Sequence, residues 1–425
     1  MHKRLLIQNV TLDNEQVDIL IEGDRFTRIG PDLPVQADQV LEGRNLAVIP
    51  PFFNAHTHAA MTLLRGYADD MELHTWLTRH IWPLEAKIQP QDVYVGAKLA
   101  CLEMIKSGTV FFNDMYWHLP STAQAVKETG IRAALSSVFI DFQDRETADK
   151  RWEECQELFA LSQELPSRIT FALGPHAIYS VSKDSLCRVR DFAQKHNLLI
   201  HLHLSETAKE VEDCQQKHGT RPVRYLESLG LLGQNLIACH AIWLSPDEMD
   251  LLAKHKVTVV HNPVSNLKLG SGTFPYRALL ERGVRVVLGT DGCSSNNNLD
   301  MLETMKFASL VAKGTAQDPT LFPAPDVLAA ATSQGATAFG IHSGQIAEGF
   351  LADCLLVDLN HPQMTPNHNL TSNLVYSAGP DCVQTTICNG QILMHERKVK
   401  GEEEILDQAR QTAGRLVGNA AHGRP

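Results

Sequence analysis

The chain has 425 residues, 44% apolar and 20% charged, a balance that excludes a disordered chain and leaves room for a large core plus an appendage. Its formal net charge is −11 with no offsetting run of lysines and arginines, so nucleic acid is not expected as a partner. Nine scattered cysteines with no CxxC pair argue against a disulfide framework, and an amino terminus that turns polar at once argues against export or a membrane, which makes the cytoplasm the expected compartment.

In chain order, residues 5–10, 17–21 and 25–29 are compact β-type runs, and Glu22-Gly23-Asp24 suits a hairpin turn. An apolar run leading to a polar tip then recurs eight times. Runs at 48–53, 109–112, 133–140 and 169–173 lead to His56, Asp114, Asp141 and His176. Those at 198–202, 236–239, 257–260 and 284–288 lead to His203, His240, His261-Asn262-Pro263 and Asp291. Helical patterns at 91–107, 121–129, 182–196 and 299–313 separate several of them. Continuously apolar strands alternating with helices predict an α/β fold, a (β/α)8 TIM-type barrel whose polar tips meet at one mouth. The competing architecture is an open doubly wound sheet, but the first run lacks the G-x-G-x-x-G turn and the tips carry histidines. Beyond the barrel, 352–358 and 385–394 again read as strands, the second broken by the hairpin signal Asn389-Gly390.

The tips hold candidate metal ligands. His56-Thr57-His58 places two imidazoles on one face of an extended chain, about 6.5–7 Å apart, within reach of one ion. His201-Leu202-His203, His240 and Asp291 end three further runs. Three imidazoles and a carboxylate suit a divalent ion such as zinc or iron and leave space for a water. His201 and His203 share a face and compete for the third imidazole position. Cys239 and Cys293 have no base partner and read as packing.

Together, His56-Thr57-His58, His203-Leu204-Ser205-Glu206-Thr207, His240, His261-Asn262-Pro263-x-Ser265-Asn266-x-Lys268 and Gly289-Thr290-Asp291-Gly292 resemble the amidohydrolase superfamily pattern. Within it they are closest to the 5-methylthioadenosine/S-adenosylhomocysteine deaminases, and the resemblance extends to Gly349-Phe350-Leu351-Ala352-Asp353. It implies a small β-sandwich built from both chain ends: residues 1–48 as its first part, 49–348 as the barrel, and 349–425 as its second part with a helical tail. It also implies His56, His58, His203 and Asp291 as the ligands, since the spacing to Glu206 selects His203 over His201. Family members with two metals bridge them through a lysine on the fourth strand. Residues 169–176 contain none, so one divalent ion is expected, zinc with iron as the alternative.

The catalytic roles expected from the resemblance fall on Glu206 as proton shuttle, His240 as the group that orients the attacking hydroxide and stabilises its charge, and Asp291 as ligand and proton acceptor. Glu85, in Trp82-Pro83-Leu84-Glu85, is the expected ribose-binding carboxylate, with His176 and Trp82 as further substrate contacts. Ser137 stands where some members carry an arginine, so Arg145 or Arg151 is left to meet an amino-acid tail. The expected activity is hydrolytic deamination of a small adenine nucleoside: 5′-methylthioadenosine, S-adenosylhomocysteine or adenosine. Guanine deamination and triazine chloro- or aminohydrolysis are alternatives from the same superfamily. A metal-binding barrel without turnover is the alternative of another class, but a structural site would close the fourth position that Glu206 and His240 flank. Whether the chain acts alone or as a homo-oligomer is left open.

Overall fold

The computed structural model describes residues 4–71 and 73–418. Eight parallel strands form one sheet in chain order: Phe52–Thr57, Thr109–Met115, Arg132–Phe139, Ile169–Pro175, Leu199–Leu204, Leu236–His240, Thr258–His261 and Arg285–Leu288. They are buried almost throughout, which is why their sequences are apolar without alternation. The sheet curls until its first and last strands meet. There the Asn54 side chain receives Thr290 N–H at 3.0 Å and donates to Thr290 Oγ1 at 2.6 Å, while Asp291 N–H donates to the His56 carbonyl at 2.9 Å. Gly289 permits this approach, because a Cβ there would lie 2.6 Å from Asn262 Oδ1 and 2.9 Å from His56 N. The result is a nearly closed barrel.

The chain ends form a second, nine-stranded mixed sheet with a core of its own around Ile7, Ile19, Phe26, Val48 and Leu356. Its two halves join where Leu46–Ile49 lies antiparallel to Cys354–Asp358. Val48 and Ile49, read above as the start of the first barrel strand, belong to this sheet. Pro50-Pro51 has no N–H to give either ladder, so the apolar run is cut in two. One buried ion pair couples the sheets: Arg132, on the third barrel strand, donates to Asp353 at 3.1 and 3.2 Å and to Asn389 Oδ1 at 2.7 Å. The carboxyl-terminal helix Glu402–Val417 packs through Ala409 and Leu416 beside the barrel helix Pro90–Ser107. Among the described residues no helix is long and apolar enough to cross a membrane.

The connection after the first barrel strand covers the mouth. Its helices Leu73–Trp76 and Trp82–Glu85 are joined by a π-type turn, Leu77–Ile81. Its base is fastened to the segments that follow the seventh and eighth strands: Asp69 accepts from Lys268 Nζ at 2.6 Å and from Asn297 Nδ2 at 3.1 Å.

Candidate active site

Strand ends bring five groups to one point. The side-chain donor atoms of His56, His58 and Asp291 lie within 4.8 Å of one another, as do those of His56, His203 and His240. His56 Nε2 and His58 Nε2 are each 3.3 Å from Asp291 Oδ1, and His203 Nε2 is 3.3 Å from His58 Nε2. Every Nδ1 of the three imidazoles His56, His58 and His203 is engaged elsewhere. His58 donates to the Met115 carbonyl at 2.7 Å and His203 to the His176 carbonyl at 2.8 Å. Those bonds fix the proton on Nδ1 and leave Nε2 as a lone pair. His56 Nδ1 lies 2.7 Å from His201 Nε2, whose own Nδ1 lies 3.3 Å from Ser136 Oγ. His201 thus orients His56 from behind.

This donor set fits a metal ion. His56 Nε2 is buried and has no hydrogen-bond partner, so the cluster without a cation would gather lone pairs against a carboxylate. Burial, with neighbouring imidazoles, lowers His56 to about 4 and His203 well below the usual range, which keeps both neutral and able to ligate. Burial alone would raise Asp291, but His56, His58 and His240 hold it well below the usual carboxylate range. Asp291 itself has φ 67°, and its Oδ2 accepts from Ser265 Oγ at 2.6 Å.

Beside the donor set stand Glu206 and His240, with His240 Nδ1 3.8 Å from Glu206 Oε1. Burial raises the Glu206 carboxyl above its ordinary pKa, an effect that His240 only partly offsets. Burial lowers His240, yet Glu206 and Asp291 outweigh it and lift the imidazole above its ordinary value. Asn266 Oδ1, 2.8 Å from His240 Nδ1, holds the ring in place beside the cluster. His58, His203, Asp291, Glu206 and His240 open on a cleft walled by Trp76, Leu77, Trp82, Tyr116 and Tyr179.

An amidohydrolase family model matches residues 47–393. The chain belongs to the amidohydrolase family. This amidohydrolase is 48% identical to a 5′-deoxyadenosine deaminase of Methanospirillum hungatei over 92% of its own length and 88% of that relative's. It is 47% identical to 5-methylthioadenosine/S-adenosylhomocysteine deaminase 1 of Archaeoglobus fulgidus, over 95% and 96% of the two chains. The crystal structure of an adenosine deaminase from Xanthomonas campestris with bound zinc superposes with a TM-score of 0.92 at 36% identity, covering 97% of this chain and 98% of that one.

The amidohydrolase brings most of the substrate candidates to the cleft. Glu85, His176 and Trp82 all line it. Burial raises the Glu85 carboxyl, while Tyr116, His58 and Trp117 draw it back. His176 Nδ1 lies 2.8 Å from Ser180 Oγ. Arg145 is not brought there: it begins the helix Arg145–Ser162, is 93% exposed, and faces Asp149 at 4.0 Å. Arg151, on the same helix, lines a groove continuous with the cleft past Trp82 and Glu85, stacked 4.9 Å over Trp117 and paired with Glu154 at 2.6 Å. His261 stands outside the donor set and stacks on Phe274 at 4.0 Å. Tyr116, Trp117 and Tyr179 escaped the reading of the sequence, although each follows a strand-end residue singled out there.

Proposed function

We propose that the protein hydrolytically deaminates adenine nucleosides to the inosine analogue and ammonia, using one divalent ion, zinc, held by His56, His58, His203 and Asp291. The observation that carries this reading is the pairing of Glu206 and His240 on the open side of the donor set, in a cleft that Glu85 enters from the facing wall. Identity of 47–48% to deaminases of adenine nucleosides supports the same chemistry. When bound, the ion supplies Lewis acidity that brings the pKa of a water towards neutrality. Asp291 takes up the proton that the attacking water gives up, its other oxygen being held by Ser265. His240 orients that water and steadies the charge that develops on it. Glu206, whose carboxyl burial raises above its ordinary pKa, delivers a proton to ring nitrogen N1, which makes C6 electrophilic; the proton taken up by Asp291 then passes to the amino group, which leaves as ammonia, and the new C6 hydroxyl returns a proton to Glu206. Glu85 accepts the ribose hydroxyls, and the 5′ substituent runs towards the groove lined by Trp117, Phe142 and Arg151.

The test is ammonia release from adenosine, 5′-deoxyadenosine, 5′-methylthioadenosine, S-adenosylhomocysteine, guanine and a chlorotriazine, on protein of measured metal content. Turnover should be confined to the nucleosides. Faster turnover of guanine, or chloride release from the triazine, would overturn the reading.

A further inference from the structure

Ser205, between the ligand candidate His203 and the acid Glu206, has φ 49°, a left-handed conformation that a non-glycine residue keeps only when its surroundings hold it. Two sets of bonds do so. Glu210 Oε1 accepts from Ser205 N–H and Glu210 Oε2 from Glu206 N–H, both at 2.8 Å. On the other side the Ser205 carbonyl accepts from the N–H groups of Ile242 at 3.0 Å and Trp243 at 2.9 Å, just past His240. The ring closes through Trp243, whose indole N–H donates to the Ser271 carbonyl at 2.6 Å, and Ser271 Oγ, which donates to Glu206 Oε1 at 3.4 Å.

Glu210 is the third residue of the helix Ala208–His218, whose cap is Thr207. An acid there ordinarily reaches back to the N–H of the cap residue and serves the helix. This one reaches past the cap to the two residues that aim Glu206 into the cleft, and it is buried at 4% exposure. Loosening that bidentate grip frees the Ser205 turn to relax, and the Glu206 carboxyl moves relative to both His240 and the substrate.

We infer that Glu210 is a positioning residue for the proton transfer: its carboxylate locks the Ser205–Glu206 turn and thereby fixes Glu206 against His240. The inference rests on the proposed role of Glu206 as the acid. Positioning through another residue predicts non-additivity, which a merely structural role does not.

The experiment is a double-mutant cycle of Glu210→Gln and Glu206→Gln in the metal-loaded enzyme, with metal content and melting temperature recorded for each variant. Glu210→Gln turns one acceptor oxygen into an NH2 group facing an N–H donor. It should lower kcat about tenfold or more with KM changed less than about threefold, and add less than about twofold in the Glu206→Gln background. Glu210→Asp, which shortens the reach and keeps the charge, runs the same cycle if the glutamine variant does not fold. Equal fold-losses in both backgrounds, or a normal kcat in Glu210→Gln, overturn the positioning role alone. Near-normal turnover of Glu206→Gln overturns the acid assignment, a result read from a different corner of the cycle.

Discussion

Replacing His201 by phenylalanine removes a group that touches no substrate, yet it should weaken the metal site. His56 and His201 are both fully buried and 2.7 Å apart, so the Nδ1–H of His56 has no water to turn to when His201 is lost. In the metal-free protein His56 has an escape, because it can move its proton to Nε2, beside Asp291 Oδ1 at 3.3 Å. A bound ion forbids that tautomer and forces an unpaired Nδ1–H, at about 1–3 kcal/mol. At about 1.4 kcal/mol per decade, this matches the roughly 10–100-fold loss of affinity typical of a removed orienting partner. The penalty therefore falls on metal affinity and spares the apo fold. Competition against a chelator of known affinity, beside thermal melts of the apo proteins, measures the two separately. His201→Gln, whose side-chain oxygen can accept the same bond, should recover part of the loss. Wild-type affinity in His201→Phe would refute the tautomer argument.

Elemental analysis should find one divalent ion per chain, and His56→Ala should lose metal and activity together; two ions, both needed for turnover, would contradict this. Glu85→Ala should narrow the kcat/KM preference for nucleosides over free adenine by harming the nucleosides, and an unchanged ratio would remove Glu85 from ribose recognition. 5′-Methylthioadenosine should be at least as good a substrate as S-adenosylhomocysteine, because Arg151 is already paired with Glu154; a strong preference for the latter would mean that Arg151 leaves that pair. Arg132→Met strands the buried Asp353 carboxylate and should cost about 3–5 kcal/mol in denaturant unfolding, whereas a wild-type midpoint would show that the two sheets do not depend on this pair.

The barrel was legible because its strands are buried on both faces and so read as uninterrupted apolar runs ending in polar tips. The same property blurred its start: Val48 and Ile49 are as apolar as Phe52 and Phe53, and hydropathy does not reveal that Pro50-Pro51 divides two sheets. The short strand Gln39–Glu42 passed unseen because Gln39, Val40 and Glu42 are polar or exposed and leave Leu41 alone to mark it. Around the site, histidines spaced two apart showed a shared face, but not that His201 would turn its ring to the back of His56. The two candidate arginines were not separable along the chain. Six residues of helix rotate a side chain by about 240° net of a full turn, which sends Arg145 to solvent and Arg151 to the groove. Glu210 looked like any acid at a helix start, since its unusual reach depends on the left-handed turn at Ser205.

The nine-stranded sheet has a consequence for how the protein is made. Leu46–Ile49 leaves the ribosome before the barrel, but its antiparallel partner Cys354–Asp358 emerges only after the whole barrel has been translated. At about 5–20 residues per second, that interval is roughly 15–60 s. Throughout it Val48 and Ile49 present an apolar strand edge with one neighbour missing, the kind of edge that recruits other nascent chains. Building one domain inside another thus stretches the vulnerable period of synthesis across the whole barrel, and makes holding that first edge a task for whatever attends the emerging chain.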